Sequence, residues 1–179
     1  MEPQTGPAWY RHFFSIMLLP VTATLVVPSA IFLFGGSWDT RLPESRLAVT
    51  LLRAAGFVFL FPGASLLVWT NLLFSRLGKG TLAPWDPTQR LVVAGPYRHV
   101  RNPMISGVMM ILVAESLLLG SILILGWALG FFLLNHFYFL VSEEPGLRKR
   151  FGKSFDDYRQ HVPRWVPRLR PWDLKEKQK

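Results

Sequence analysis

The fold turns on residues 103–141, PMISGVMMILVAESLLLGSILILGWALGFFLLNHFYFLV, 39 residues with a single charged side chain, Glu115. At 1.5 Å per residue one straight helix of this length would run about 58 Å, roughly twice the hydrocarbon thickness of a bilayer. The stretch must therefore double back, and Gly120-Ser121 is the natural turn. The reading is a tight hairpin of two helices, Pro103 to Leu119 and Ser121 to Val141. Pro103 suits a first helical turn, where its missing N–H is no loss. Glu115 falls near the turn, at the membrane interface rather than in a buried proton path.

Two further apolar blocks precede the hairpin. Phe13 to Phe34 carries no charge, contains Pro20 and Pro28, and ends at Gly35-Gly36. The prolines predict kinks, which membrane helices tolerate when neighbours satisfy the freed carbonyls. Leu47 to Phe74 contains one charge, Arg53, near enough to its start to snorkel toward headgroups, and Pro62-Gly63 marks a kink or a close approach. Residues 75–102 are polar and turn-rich, with Gly78, Gly80, Pro84, Pro87, Gly95 and Pro96. The tail, 142–179, interleaves Phe151, Phe155, Tyr158, Trp165 and Trp172 with basic residues, a mix that fits an amphipathic segment lying on the membrane surface.

The expected class is all-α: an integral membrane helical bundle of about four transmembrane helices, with a C-terminal hairpin and a cytoplasmic amphipathic tail. One membrane domain covers 1–179, divided into two N-terminal spans (1–74), a cytoplasmic cofactor-binding segment (75–102), the hairpin (103–141) and the tail. The segment 35–46 has two Lys or Arg, 75–102 has five, the tail has 11 and the hairpin turn has none. By the positive-inside rule this multi-pass chain keeps both termini, the 75–102 segment and the tail cytoplasmic. The net charge of +9 points to anionic headgroups and not to nucleic acid, because the basic residues flank apolar blocks. The chain has no cysteine, which excludes disulfides, a thiolate nucleophile and a thiolate metal site. The first apolar block is too long for a typical signal peptide and is expected to be retained.

A hairpin whose turn faces out brings its two ends together on the inner face, so Asn102 and Glu143 should lie close. One end offers Gly95-Pro96-Tyr97-Arg98-His99-Val100-Arg101-Asn102-Pro103, and the other Glu143-Glu144. Two acids at a helix C-terminus oppose the helix dipole. They need compensation from Arg98, Arg101, Arg148 or a cationic ligand. An ammonium and ribose hydroxyls would suit these carboxylates, and an adenine could lie on Tyr97 or along Leu91-Val92-Val93. S-adenosylmethionine combines these parts, and aromatic faces stabilise its sulfonium.

The run Leu91-Val92-Val93-Ala94-Gly95-Pro96-Tyr97-Arg98-His99-Val100-Arg101-Asn102-Pro103 resembles the signature of the isoprenylcysteine carboxyl methyltransferase and phospholipid N-methyltransferase superfamily. So does the second run, Glu143-Glu144-Pro145-Gly146-Leu147, then Phe151-Gly152, Tyr158 and Val162-Pro163-Arg164. The order and hairpin spacing match over about residues 76–170. The resemblance implies S-adenosylmethionine as cofactor, S-adenosylhomocysteine as product, and a lipophilic substrate arriving from the bilayer. It implies cofactor contacts from Gln89, Arg90, Leu91, Val92, Tyr97, Asn102, Pro103, Met104, Ile105 and Glu143, with Gly78-Lys79-Gly80 as a counterpart of the family's Gly-x-Gly element. The family's usual His is Asn102 here, its usual aromatic is Ile105, and Phe139 stands where carboxyl methyltransferases carry an Arg. That last departure argues against a prenylcysteine carboxylate.

The expected reaction is an in-line methyl transfer from sulfonium to a lipid amine or carboxylate, with no metal. An amine must first lose a proton, and His99, His136 and Glu144 are the candidate bases. Arg101, Tyr138 and Phe139 are the candidate substrate contacts. Two other readings compete: a nicotinamide-dependent membrane reductase of related architecture, and a non-enzymatic protein whose basic tail binds anionic lipid.

Overall fold

The computed structural model describes residues 20–35, 39, 45–77 and 91–173. Among the described residues the regular structure is entirely helical. A π-helical turn, Thr22–Val26, leads into α1, Val27–Phe34; α2 is Arg46–Leu77; a 3₁₀ turn, Gly95–Arg98, precedes α3, Pro103–Leu119; α4 is Ile122–Tyr138. A second π turn, Phe139–Glu143, joins α4 to α5, Glu144–Phe151, and α6, Lys153–His161, follows.

The hairpin forms as its sequence requires. Gly120 takes the left-handed conformation, φ 66°, that stops α3, and its N–H returns to the Ser116 carbonyl. Ser121 is the N-cap of α4 and its hydroxyl accepts from the Ile124 N–H at 3.1 Å. Asp39, between α1 and α2 in sequence, accepts from the Leu123 N–H at 3.2 Å, so two of the orphan donors of α4 are satisfied by side chains.

Among the described residues two stretches, Arg46–Leu73 and Ile122–Phe151, are long and apolar enough to cross a membrane, while Thr22–Phe34 and Pro103–Leu119 are apolar but shorter. The second hairpin helix does not end at Val141. The helical path continues through the π turn to Phe151, and Gly152, φ 52°, ends it. Pro145 explains the change of pitch, since it cannot donate to the carbonyl four residues back. The chain adopts i→i−5 bonding just ahead of it, with the Glu144 N–H on the Phe139 carbonyl.

Pro28 has the same effect in the first block. The Val27 N–H bonds the Thr22 carbonyl and Pro28 has no N–H, so the Ala23 carbonyl loses its helical donor. The Trp127 indole N–H on α4 supplies one at 3.0 Å. Ala23 then packs with Val108, Leu112 and Ala128 in the central core. Helix α3 is the most enclosed element, contributing Gly107, Val108, Ile111, Leu112 and Ala114 to the interior. The outward faces of α2 and α4 expose Phe57, Val58, Phe61, Val68, Leu129, Leu134 and Phe137. That much apolar surface belongs in lipid.

Pro62-Gly63 marks a close approach: α2 stays helical through Pro62, and Gly63 meets α3 backbone to backbone. A Cβ on Gly107 would lie 2.9 Å from the Gly63 carbonyl oxygen and 3.0 Å from the Leu67 nitrogen. Backbone cannot yield there, so small residues set the crossing distance, as is common between membrane helices. Gly107→Val is expected to destabilise the folded protein by about 1–3 kcal/mol through overpacking, read as a lowered midpoint of thermal unfolding in detergent. Gly126→Ala on α4, where an added Cβ meets nothing within 4 Å, should leave that midpoint unchanged.

Candidate functional site

The Gly95–Arg98 turn is set by its first residues. Gly95 has φ 52°, and a Cβ there would fall 2.7 Å from Leu73 Cδ1 and 3.2 Å from Trp69 Cζ2, so only glycine lets the turn press against the end of α2. Pro96 and Tyr97 are buried. The tail runs back along this turn. The Arg101 N–H donates to the Pro163 carbonyl at 2.9 Å, the Arg168 N–H to His99 and the Trp172 N–H to Arg98, both at 3.0 Å. The Tyr158 hydroxyl donates to the Tyr97 carbonyl at 2.7 Å. Phe155, Tyr158 and Val162 pack with Leu91, Val93, Leu147, Phe151 and Trp172. These tail aromatics form an internal cluster in which the apolar face of α6 packs against the 91–93 strip.

The two ends of the hairpin meet. Arg101 Nη1 lies 2.7 Å from Glu144 Oε1, and the Arg164 guanidinium reaches the same oxygen at 2.8 Å. All three side chains are largely buried, 11%, 11% and 17% exposed for Arg101, Glu144 and Arg164. Burial lowers the Arg101 pKa and Glu144 opposes that shift. Burial also raises the phenol pKa of Tyr97, with Tyr158 and Glu143 adding to the rise, and that of Tyr158, so both stay protonated and keep their hydroxyl hydrogens. Glu143 is half-buried beside this cluster.

The structure thus gathers Tyr97, Arg101, Glu143 and Glu144, with Asn102, Pro103, Met104 and Ile105 forming the start of α3. No side chain caps that helix start. Leu91 and Val92 lead into the same region, and Val92 is buried. Gln89, Arg90 and Gly78-Lys79-Gly80 lie outside the described residues. His136 and Phe139 pack against Trp165, and Tyr138 lies against Phe139. The Trp165 indole N–H donates to His136 Nδ1 at 3.0 Å, and Phe139 packs 5.8 Å from the Trp165 ring. His99 stands apart again, its Nδ1 2.8 Å from the Arg168 carbonyl. A carbonyl only accepts, so Nδ1 carries the proton and Nε2 is left as the basic nitrogen.

A cavity of about 760 Å³ opens between α2, the 3₁₀ turn, α3 and the tail. Leu66, Trp69, Pro96, Met110, Trp165, Pro167 and Pro171 give it apolar walls, and Arg98, His99 and Ser106 supply polar groups. Of the candidate bases, cofactor contacts and substrate contacts read from sequence only His99 lines it, beside Arg98, an expected partner of the acid pair. Trp165 and Arg164 escaped selection, although Val162-Pro163-Arg164 stands in the second motif. Which two of 20 basic residues reach Glu144 depends on the path of the tail, which no local pattern encodes.

A family model described as phospholipid methyltransferase matches residues 53–154, more than half of the chain. No curated protein and no solved structure matches.

Removing the Glu144 carboxylate would leave two guanidiniums facing each other in a buried site. Glu144→Ala is expected to cost about 3–5 kcal/mol of stability, measured by thermal or denaturant unfolding in detergent. Removing the exposed Arg148–Asp156 pair by Arg148→Ala should cost less than about 1 kcal/mol.

Proposed function

The chain belongs to the phospholipid methyltransferase family, and from that premise we propose that it transfers the methyl group of S-adenosylmethionine to a membrane lipid or another small molecule carried in the bilayer. The observation that supports this most is the 2.7 Å contact between Arg101 and Glu144. It joins the two motif-bearing ends of the hairpin at one edge of the apolar bundle.

The residues at that edge fit the cofactor. Arg101 Nε is buried with no hydrogen-bond partner among the described residues, a donor available to an anionic group. The uncapped start of α3 offers further backbone donors of the same sign. The Glu143 carboxylate suits an ammonium or a ribose hydroxyl. When bound, S-adenosylmethionine supplies a methyl group already activated by a sulfonium. In this reading Glu143, Asn102, Pro103, Met104 and Ile105 hold the cofactor, and Leu91 and Val92 run beside it. Gln89 and Arg90 complete the set from the sequence. Tyr97, 7% exposed, shapes the floor from beneath and offers no open face for stacking.

The acceptor's proton is best assigned to His99. It lines the cavity, and its Nε2 has no hydrogen-bond partner among the described residues. Glu144 Oε1 is taken by two guanidiniums, and His136 Nδ1 already accepts from Trp165. Arg101 is committed to Glu144, while Tyr138 and Phe139 shape the acceptor side through Trp165. Alignment of acceptor and donor can account for about 7–11 kcal/mol of a barrier, and the apolar walls keep water out.

Two measurements test this. Purified protein should bind S-adenosylhomocysteine saturably and not NADPH, with Glu143→Ala weakening it at least about tenfold. Label from methyl-labelled S-adenosylmethionine should appear in the lipid fraction, and His99→Asn should slow that transfer by about 100-fold or more if the acceptor is an amine. Unaltered affinity in Glu143→Ala, or binding of NADPH alone, would remove the proposal.

We further infer four spans with both termini, residues 75–102 and the tail cytoplasmic. The cysteine-free chain makes the test direct. A single cysteine at Leu119→Cys should react with a membrane-impermeant maleimide in intact cells. One at Arg170→Cys should react only after permeabilisation.

A further inference from the structure

The tail segment 165–172 closes one wall of the cavity, and its residues divide between two sides. Trp165, Pro167 and Pro171 line the cavity. Val166, 74% exposed, and Leu169, 97% exposed, do not line it. A lone exposed leucine is ordinary on a protein surface, but these two are held in place. Trp165 is fixed by its indole N–H on His136 and by packing against Phe132 and Phe139, so Val166 follows an anchored residue. Arg168 is clamped to His99 twice: its N–H donates to the His99 carbonyl, and its own carbonyl accepts from His99 Nδ1 at 2.8 Å. The Trp172 N–H on the Arg98 carbonyl holds the other end. Leu169, Arg170 and Pro171 lie between these clamps, and Pro167 and Pro171 have fixed φ. The backbone thus presents Leu169 outward with little freedom to fold back.

The neighbours of this face say what covers it. Val166 follows Trp165 in the chain, Leu140 and Val141 follow Phe139, and the Trp165 and Phe139 rings are in contact. Leu140 and Val141 are themselves exposed, Val141 by 77%, so the loop extends the apolar surface at the end of α4. Leu169 also stands between Arg168 and Arg170, and the acid that follows, Asp173, is paired with Arg98. An apolar tip beside guanidiniums matches the boundary of an anionic leaflet, where aliphatic groups reach the acyl region and cations stay among the headgroups. A second copy of this chain meeting the same face would set like charges against each other. We propose that Val166 and Leu169 form a membrane-inserted finger. They dip into the anionic leaflet on the tail's side, keep Arg170 among its headgroups, and hold the Trp165–Pro171 wall at the bilayer surface. The tail then reaches the membrane through two aliphatic residues and not through the aromatic cluster of α6. The inference goes beyond the methyl-transfer reading and does not depend on it.

The absence of cysteine allows a site-specific test on the full chain, reconstituted into vesicles of phosphatidylcholine with phosphatidylglycerol. Leu169→Cys carries the fluorophore NBD, and Asp157→Cys, exposed on α6, carries it as the reference. Both leaflets have the same composition, so the direction of insertion does not affect the result. A nitroxide high on the lipid acyl chain should quench the label at 169 at least about twofold more than the label at 157, and iodide in the water should do the reverse. The contrast should shrink in vesicles of phosphatidylcholine alone. With the label at Val166→Cys, adding Leu169→Glu should cut quenching by the lipid nitroxide by about half or more, because a carboxylate at the tip is repelled by phosphates. Both positions are exposed, so these substitutions leave the packed interior untouched. Equal quenching at 169 and 157 overturns the proposal, as does a pattern indifferent to phosphatidylglycerol or to Leu169→Glu. Shielding from iodide without quenching by the lipid nitroxide overturns it too, by showing a protein contact such as a second copy.

Discussion

Glu144 sits between Arg101 and Arg164, and much of the molecule depends on that arrangement. Arg101 precedes the hairpin, Glu144 follows it, and Arg164 comes from the tail. One carboxylate oxygen therefore fastens three separate stretches of chain at one edge of the apolar bundle. Two cations and one anion leave an excess positive charge in a partly dry place, where Coulombic terms are stronger than in water. The same edge holds Glu143, the uncapped start of α3 and the buried Tyr97–Tyr158 pair, so the node positions these groups together. Its neighbour Arg98 is built differently, with an exposed partner in Asp173.

The rest of the fold follows from lipid as solvent. No water is present to rescue a freed carbonyl in the hydrocarbon layer, so each proline must be compensated from within. Pro28 and Pro145 each follow a π turn, and the carbonyl freed beside Pro28 is taken by Trp127. The Gly63–Gly107 crossing serves the same economy of space. It lets α2 and α3 approach closely where neither has side chains to interdigitate, and the cavity opens just beyond it.

Much of this was legible in the sequence because the hairpin signal is severe. A 39-residue apolar run cannot cross once, and it contains one Gly-Ser step at the right place. The proximity of its ends follows from topology alone, and the Arg101–Glu144 contact meets it. Of the three arginines expected to compensate the acid pair, only Arg101 does so. Arg98 turns to Asp173 and Arg148 to Asp156, since side-chain partners depend on the tail's path. The last long helix runs on past Val141, where the apolar run ends, because a π turn absorbs Pro145. That Phe155 and Tyr158 pack on the 91–93 strip was not legible, because amphipathicity does not say which apolar surface an element will meet. Asp39 was invisible for a related reason: its partner at Leu123 lies far along the chain.

The tail's backbone bonds to residues 98–101 bear on how the protein is made. Trp165, Pro167 and Pro171, which close one wall of the cavity, follow both hairpin helices in chain order. A nascent chain with its spans already inserted still has an open trough there, and gains a walled chamber only once the later residues have emerged and folded back. The cavity would thus be completed only after both hairpin helices have been made.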